Sequence, residues 1–170
     1  MIIRLIKAMV CLAVALFGLL VAADNVIDYS TNFQFVQHVL SMDTIPDKRL
    51  IDRAITDPAV WRLSYVVIIV GEALTGLCFL AAAIALLSQL RAPPARFERA
   101  KTWAVVGGAI GFLVWFVGFL VIGGEWFQMW QSPSWNGQQP AFRFVVIMLA
   151  VLIFITQREP DDTCGEITRR

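Results

Sequence analysis

Four apolar runs, 5–23, 61–87, 103–123 and 140–156, alternate with polar segments along the chain. A helix needs about 20 apolar residues to cross ~30 Å of hydrocarbon. Three runs reach that length and the fourth falls slightly short. The pattern predicts an all-α integral membrane four-helix bundle built as one domain. Its outer loops are 24–60 and 124–139, its inner loop is 88–102 and its tail is 157–170. Composition agrees: 58% of residues are hydrophobic and 16% charged, against about 25% charged in a soluble domain.

The first run has the parts of a signal peptide: Arg4 and Lys7, an apolar stretch, then Val21-Ala22-Ala23. It is also long enough to span, and we read it as a retained signal anchor. Orientation follows from Lys and Arg. The N-terminus carries Arg4 and Lys7, the 88–102 loop Arg91, Arg96, Arg99 and Lys101, and the tail Arg158, Arg169 and Arg170. Four spans put these three basic segments on one side, so both termini are expected in the cytoplasm. The loop 24–60 is rich in aspartate, and 124–139 holds no Lys or Arg; both are expected outside.

Within the first outer loop, Phe33, Val36, Val39 and Leu40 fall on one helical face, opposite Gln34, Gln37, His38 and Ser41. That spacing predicts an amphipathic helix at the interface or capping the bundle. Thr44, Pro46 and Asp47 predict a second short helix that buries Leu50, Ile51, Ala54 and Ile55. Asp57 then caps the second span, with Pro58 at its first position. In the other loop, Trp126, Trp130 and Trp135, with Glu125, follow the third span. Trp61 sits at the same end of the second span. Tryptophan suits that depth because its ring is apolar while its N–H seeks water, so these residues read as an outer-face rim. An aromatic cage or quinone pocket is the alternative.

Glu72 lies inside the second span, where an unpaired carboxylate is costly. It stands sixteen residues above Ser88, about 24 Å at 1.5 Å per residue. Arg143 stands fourteen residues above Gln157, about 21 Å. The matched depths predict a buried Glu72–Arg143 ion pair, serving either as a staple between spans two and four or as part of a proton or ion relay. Relays bring several ionisable groups in series; these spans hold no second buried acid and no histidine, which favours the staple. In the third span Gly107, Gly111 and Gly118 share a face that allows close helix packing, within the bundle or against another subunit.

Candidate chemistry is sparse. The net charge of +1 gives no reason to expect nucleic acid. His38 is the sole histidine; it reads as solvated or structural, and a ligand role would need a partner subunit or a methionine. The three cysteines are isolated from one another and from His38, so neither a disulfide framework nor a metal site is expected. No Ser-His-Asp set or phosphate loop is present, and no cofactor is expected.

The segments FVQHVLSMDTIPD (35–47) and EWFQMWQSPSWNGQQPAFRF (125–144), on a four-span frame, resemble a prokaryotic family of predicted small integral membrane proteins of unknown function. The resemblance covers most of the chain. It implies the fold and a bacterial inner-membrane location, and brings no catalytic residue or cofactor. The expected role is a non-catalytic accessory or scaffold subunit in the lipid bilayer, packed with other membrane subunits or with itself. A small transporter or channel using Glu72 and Arg143, and a haem- or quinone-binding redox subunit, are the alternatives.

Overall fold

The computed structural model describes residues 1–159; Cys164, Arg169 and Arg170 of the tail lie outside them. The described residues are helical and contain no strand. Helix α1 spans Ile2–Ile27, α2 Tyr29–Ser41, α3 Pro58–Ser88, α4 Pro94–Ala100, α5 Thr102–Phe112 and α6 Gln138–Thr156. Helix α5 continues as a π-helical segment, Leu113–Trp126. Four helical stretches are long and apolar enough to cross a membrane: Ile2–Ile27, Pro58–Ser88, Pro94–Trp126 and Gln138–Thr156. The N-terminus and the end of α6 meet at one face, because Lys7 Nζ donates to the Gln157 carbonyl at 2.8 Å. We call this the terminal face and the opposite side the loop face.

The tightest packing is between α1 and α3. On α1, Ala8, Cys11, Ala15, Gly18, Ala22 and Asn25 are buried. Their spacing alternates three and four, the heptad seam of two helices crossing at a shallow angle. On α3, Tyr65, Glu72, Thr75, Phe79, Ala82 and Leu86 keep the same rhythm and are buried as well. Small residues matter here because lipid gives helices no hydrophobic reason to associate, leaving close van der Waals contact as the main attraction. The closest approach is Gly18 against Gly76: a Cβ on Gly18 would stand 3.0 Å from the Gly76 Cα, and one on Gly76 would stand 2.8 Å from the Leu19 nitrogen.

The glycine face expected in the third span divides. Gly107 packs on α3, where a Cβ would meet Cys78 Cβ at 2.9 Å and the Thr75 carbonyl at 3.2 Å. Gly111 packs against Met148 of α6 and Trp115. Gly118 does not join them, since its nearest neighbour would lie at 3.8 Å, an ordinary contact. The π-helical segment explains the departure. Its wider turn shifts the register past Leu113, so a face counted at 3.6 residues per turn no longer runs through Gly118.

At the loop face α2 forms as the periodicity predicts, burying Val36, Val39 and Leu40 against Tyr65, Phe127 and Met129. The second short helix does not form. Only a 3-10 turn, Ile51–Arg53, appears, and Leu50 and Ile51 are exposed. The Thr44 hydroxyl, which would have capped that helix, instead bonds the Ser132 hydroxyl at 2.8 Å and ties the two loops together. Asp57 does cap α3, accepting from the Ala59 N–H at 2.8 Å.

Replacing Gly76 with alanine should force α1 and α3 apart and cost about 1–3 kcal/mol, the range for overpacking a close contact. Gly118→Ala should be neutral, or stabilising by up to about 1 kcal/mol through helix propensity. Denaturant unfolding in detergent micelles, followed by circular dichroism, compares the two.

Candidate functional site

Two buried polar clusters are formed among the described residues, one on the α1–α3 seam toward the loop face and one at the terminal face. Toward the loop face, Asn25 sits in the last turn of α1, where carbonyls lack helical partners. The Tyr65 hydroxyl donates to the Asn25 backbone carbonyl at 2.9 Å, with the Asn25 side-chain oxygen at 3.2 Å. The Asn25 amide in turn donates to Glu72 Oε2 at 2.6 Å. Tyr65 and Glu72 are seven residues apart on α3, two helical turns, so both face α1.

This cluster replaces the expected ion pair. Glu72 is 3% exposed and Asn25 is its hydrogen-bond partner among the described residues. Arg143 is exposed and makes no ion pair among the described residues. The reason is azimuth. Ala141, Val145 and Met148 turn toward the bundle, and a residue two beyond Ala141 lies about 200° around the helix at 3.6 residues per turn. Arg143 therefore points away from Glu72, beside exposed Phe142, Val146 and Ile147.

The second carboxylate oxygen of Glu72 accepts no hydrogen bond among the described residues, and no buried polar side-chain atom there is left sealed without a partner. That oxygen is therefore open to the cavity Glu72 lines. The cavity measures about 300 Å³. Tyr65, Phe35, Trp115, Phe119 and Phe144 supply its walls, and Asn32 and Pro140, both exposed, stand at the loop face. Trp115 and Phe119 come from the π-helical segment. Such segments are rare and occur disproportionately at functional sites. Sequence reasoning passed over Trp115 and Asn25 as site residues and read Tyr65 as an interfacial aromatic beside Trp61, whereas it is buried with its hydroxyl on Asn25. The signal available for Asn25 was a polar residue continuing a three-four repeat of small residues.

At the terminal face a second cluster joins α1, α4, α5 and the chain leaving α6. Lys7, 2% exposed, reaches Glu159 Oε1 at 2.7 Å. Lys101 Nζ donates to Glu98 Oε1 at 2.7 Å and to the Gln157 carbonyl at 2.7 Å. Arg4 donates to the carbonyls of Leu90 and Ala92 at 3.1 and 2.7 Å and lies 4.8 Å from the centre of the Phe97 ring. Burial alone would raise the Glu159 carboxyl, but the Lys7 hydrogen bond and the charges of Lys7 and Lys101 outweigh it and hold it below the ordinary value. Residues that set orientation in the sequence thus also fasten the bundle.

The expected rim is varied. Trp126 and Trp130 are about half exposed, and Glu125 is exposed. The Arg53 guanidinium lies 4.6 Å from the Trp126 ring centre. Trp61 donates its indole N–H to the Ile55 carbonyl at 2.7 Å. Trp135 stacks on His38 at 4.7 Å, and His38 Nδ1 lies 2.8 Å from Asp43 Oδ2. Among the described residues no group of three or more His, Cys, Asp or Glu is placed to hold a metal ion.

Residues 3–158 match the family described as predicted small integral membrane protein (DUF2165). The chain belongs to this family. No curated protein and no solved structure matches it. The match takes in all four spanning stretches but for Ile2, both loops, and the terminal-face cluster except Glu159.

The terminal cluster carries a pH dependence. Because the Glu159 carboxyl is held below its ordinary 4.5 in the folded state, its contribution is complete above about pH 5 and is lost as pH falls through the depressed value. Glu159→Gln should cost roughly 3 kcal/mol at neutral pH, since it leaves buried cations short of a counter-charge. It should also flatten the acid limb of a stability–pH profile in detergent.

Proposed function

We propose that this family member is a non-catalytic binding protein of the bacterial inner membrane, with both termini in the cytoplasm and a ligand site opening toward the outer face. The orientation rests on the basic residues gathered at the terminal face, Arg4, Lys7, Arg91, Arg96, Arg99, Lys101 and Arg158, by the positive-inside rule. The binding role rests on one observation: the cavity walled by aromatic rings into which Glu72 turns an unpartnered oxygen. A polar atom left open in an apolar cavity is costly unless something meets it. The buried Lys7 and Lys101 are by contrast taken up at the terminal face, where they hold the ends of helices together.

A second reading, an accessory or scaffold subunit of a larger membrane complex, draws on Arg143. It is an exposed cation on an apolar helix side, five residues into α6, about 7.5 Å along the axis. At that depth it meets either lipid phosphate by snorkelling or an acid on a neighbouring subunit.

Native mass spectrometry of the protein released directly from its membrane tests both. A small-molecule adduct on wild type that is lost in Glu72→Gln is the expected result. A wild type free of adducts contradicts the binding reading. A stoichiometric protein partner lost in Arg143→Ala supports the accessory role.

A further inference from the structure

The lining of the cavity identifies the kind of ligand it suits. Among the described residues, Glu72 is the one charged residue that lines it; no Lys, Arg or His does. Hydrogen-bond donors are scarce. The single hydrogen of the Tyr65 hydroxyl is committed to Asn25, and one hydrogen of the Asn25 amide is committed to Glu72. What remains is an open carboxylate oxygen, the second Asn25 amide hydrogen, the Trp115 indole N–H and the exposed Asn32 amide, in a cavity walled largely by aromatic side chains. The cavity has no cationic side chain among the described residues to hold phosphate or sulfate, and its carboxylate repels anions. It matches a positive charge: aromatic faces attract cations through their quadrupole, most strongly away from water, and a carboxylate supplies the counter-charge. Quaternary and primary ammonium groups are the cations that aromatic cages of this type recognise.

The surroundings say more about the body of that ligand. A second cavity of about 280 Å³ runs between α1 and α6, and apolar residues alone line it, among them Val10, Val14, Phe17, Ile147 and Val151. Phe144 lines both cavities, and its ring lies 4.4 Å from that of Phe17 and 5.5 Å from that of Trp115. An apolar groove that shares Phe144 with the charged cavity suits an alkyl or aryl tail. The matching of parts also settles the electrostatic difficulty of Glu72, which has no cationic residue beside it. A carboxylate ionised at that depth needs a counter-ion, and this arrangement leaves the ligand to bring one.

We infer that the Glu72 cavity and the adjoining α1–α6 groove together form a binding site for hydrophobic organic cations, an ammonium head against Glu72 and an apolar tail along α1 and α6. This rests on the reading of the cavity as a ligand site and names the ligand class. Glu72 is the charge-recognising residue, Phe35, Tyr65, Trp115 and Phe119 are the cage, and Asn25 holds the carboxylate in place.

The test measures binding of hexyltrimethylammonium to the full chain in lipid nanodiscs by isothermal titration calorimetry, with empty nanodiscs subtracted. The same chain bearing an uncharged tert-butyl head, and hexyl sulfate, are run beside it. Wild type should prefer the cation over the neutral analogue by at least tenfold and should not bind the sulfate. Glu72→Gln should abolish that preference while leaving any neutral binding unchanged, and Ala141→Phe, which fills the cavity, should remove both. A wild type that binds neutral and cationic heads equally, or that binds the sulfate, overturns the assignment. In that case an adduct in native mass spectrometry still supports a ligand site of another chemistry. A wild type that binds no cation overturns the assignment outright. The wild-type comparison stands even if a variant fails to fold.

Discussion

The packing of α1 on α3 through a seam of small residues is the contact on which the rest of this molecule depends. Gly18 and Gly76 bring the two backbones together, and in lipid such proximity is the chief source of helix association. The polar cluster toward the loop face is arranged around that crossing. Asn25 can reach Glu72, and Tyr65 can reach the last turn of α1, because the helices are close. A bulkier seam would move the carboxylate off its amide and widen the gap to the tyrosine.

The two polar clusters differ in what they leave over. At the terminal face Lys7, Lys101, Glu98, Glu159 and Arg4 are used on one another and on backbone carbonyls of other elements. The charges there are paired, so their desolvation is offset, and the product is a clamp between the two ends of the chain. Toward the loop face the cluster is incomplete: one oxygen of Glu72 is occupied and one is open. Helices α1 and α6, which the clamp joins at one end, line the groove between them and part of the cavity. A closed end and an open end on one frame separate the task of holding the bundle from that of meeting a ligand.

Hydropathy made the four spans legible, and turn chemistry made the Asp57 cap legible, because both are local. The amphipathic period of α2 was legible for the same reason. The site was legible only in part. Glu72 stood out because a carboxylate in a span is conspicuous, but its partner was sought by depth alone. Depth fixes rise along a helix and leaves rotation free, and rotation turned Arg143 away. Gly118 escaped for a related cause: a π-helical stretch shifts the register in a way that no count at 3.6 residues per turn reveals. The second short helix of the first loop failed because Thr44 found a partner in a distant loop, and tertiary contacts of that kind leave no local mark. Lys7 and Lys101 were read for topology and also bind the terminal face, since charge pattern carries both meanings at once.

Glu72 is held by Asn25, faces an open cavity, and is not paired with Arg143. Labelling with the lipid-soluble reagent dicyclohexylcarbodiimide at mildly acidic pH, followed by peptide mass mapping, addresses it directly. A carbodiimide adduct is expected on Glu72 in wild type and in Arg143→Ala alike, with none at that position in Glu72→Gln. A Glu72 that is unreactive in wild type and becomes reactive only when Arg143 is removed would contradict it, and would restore the ion pair in its place.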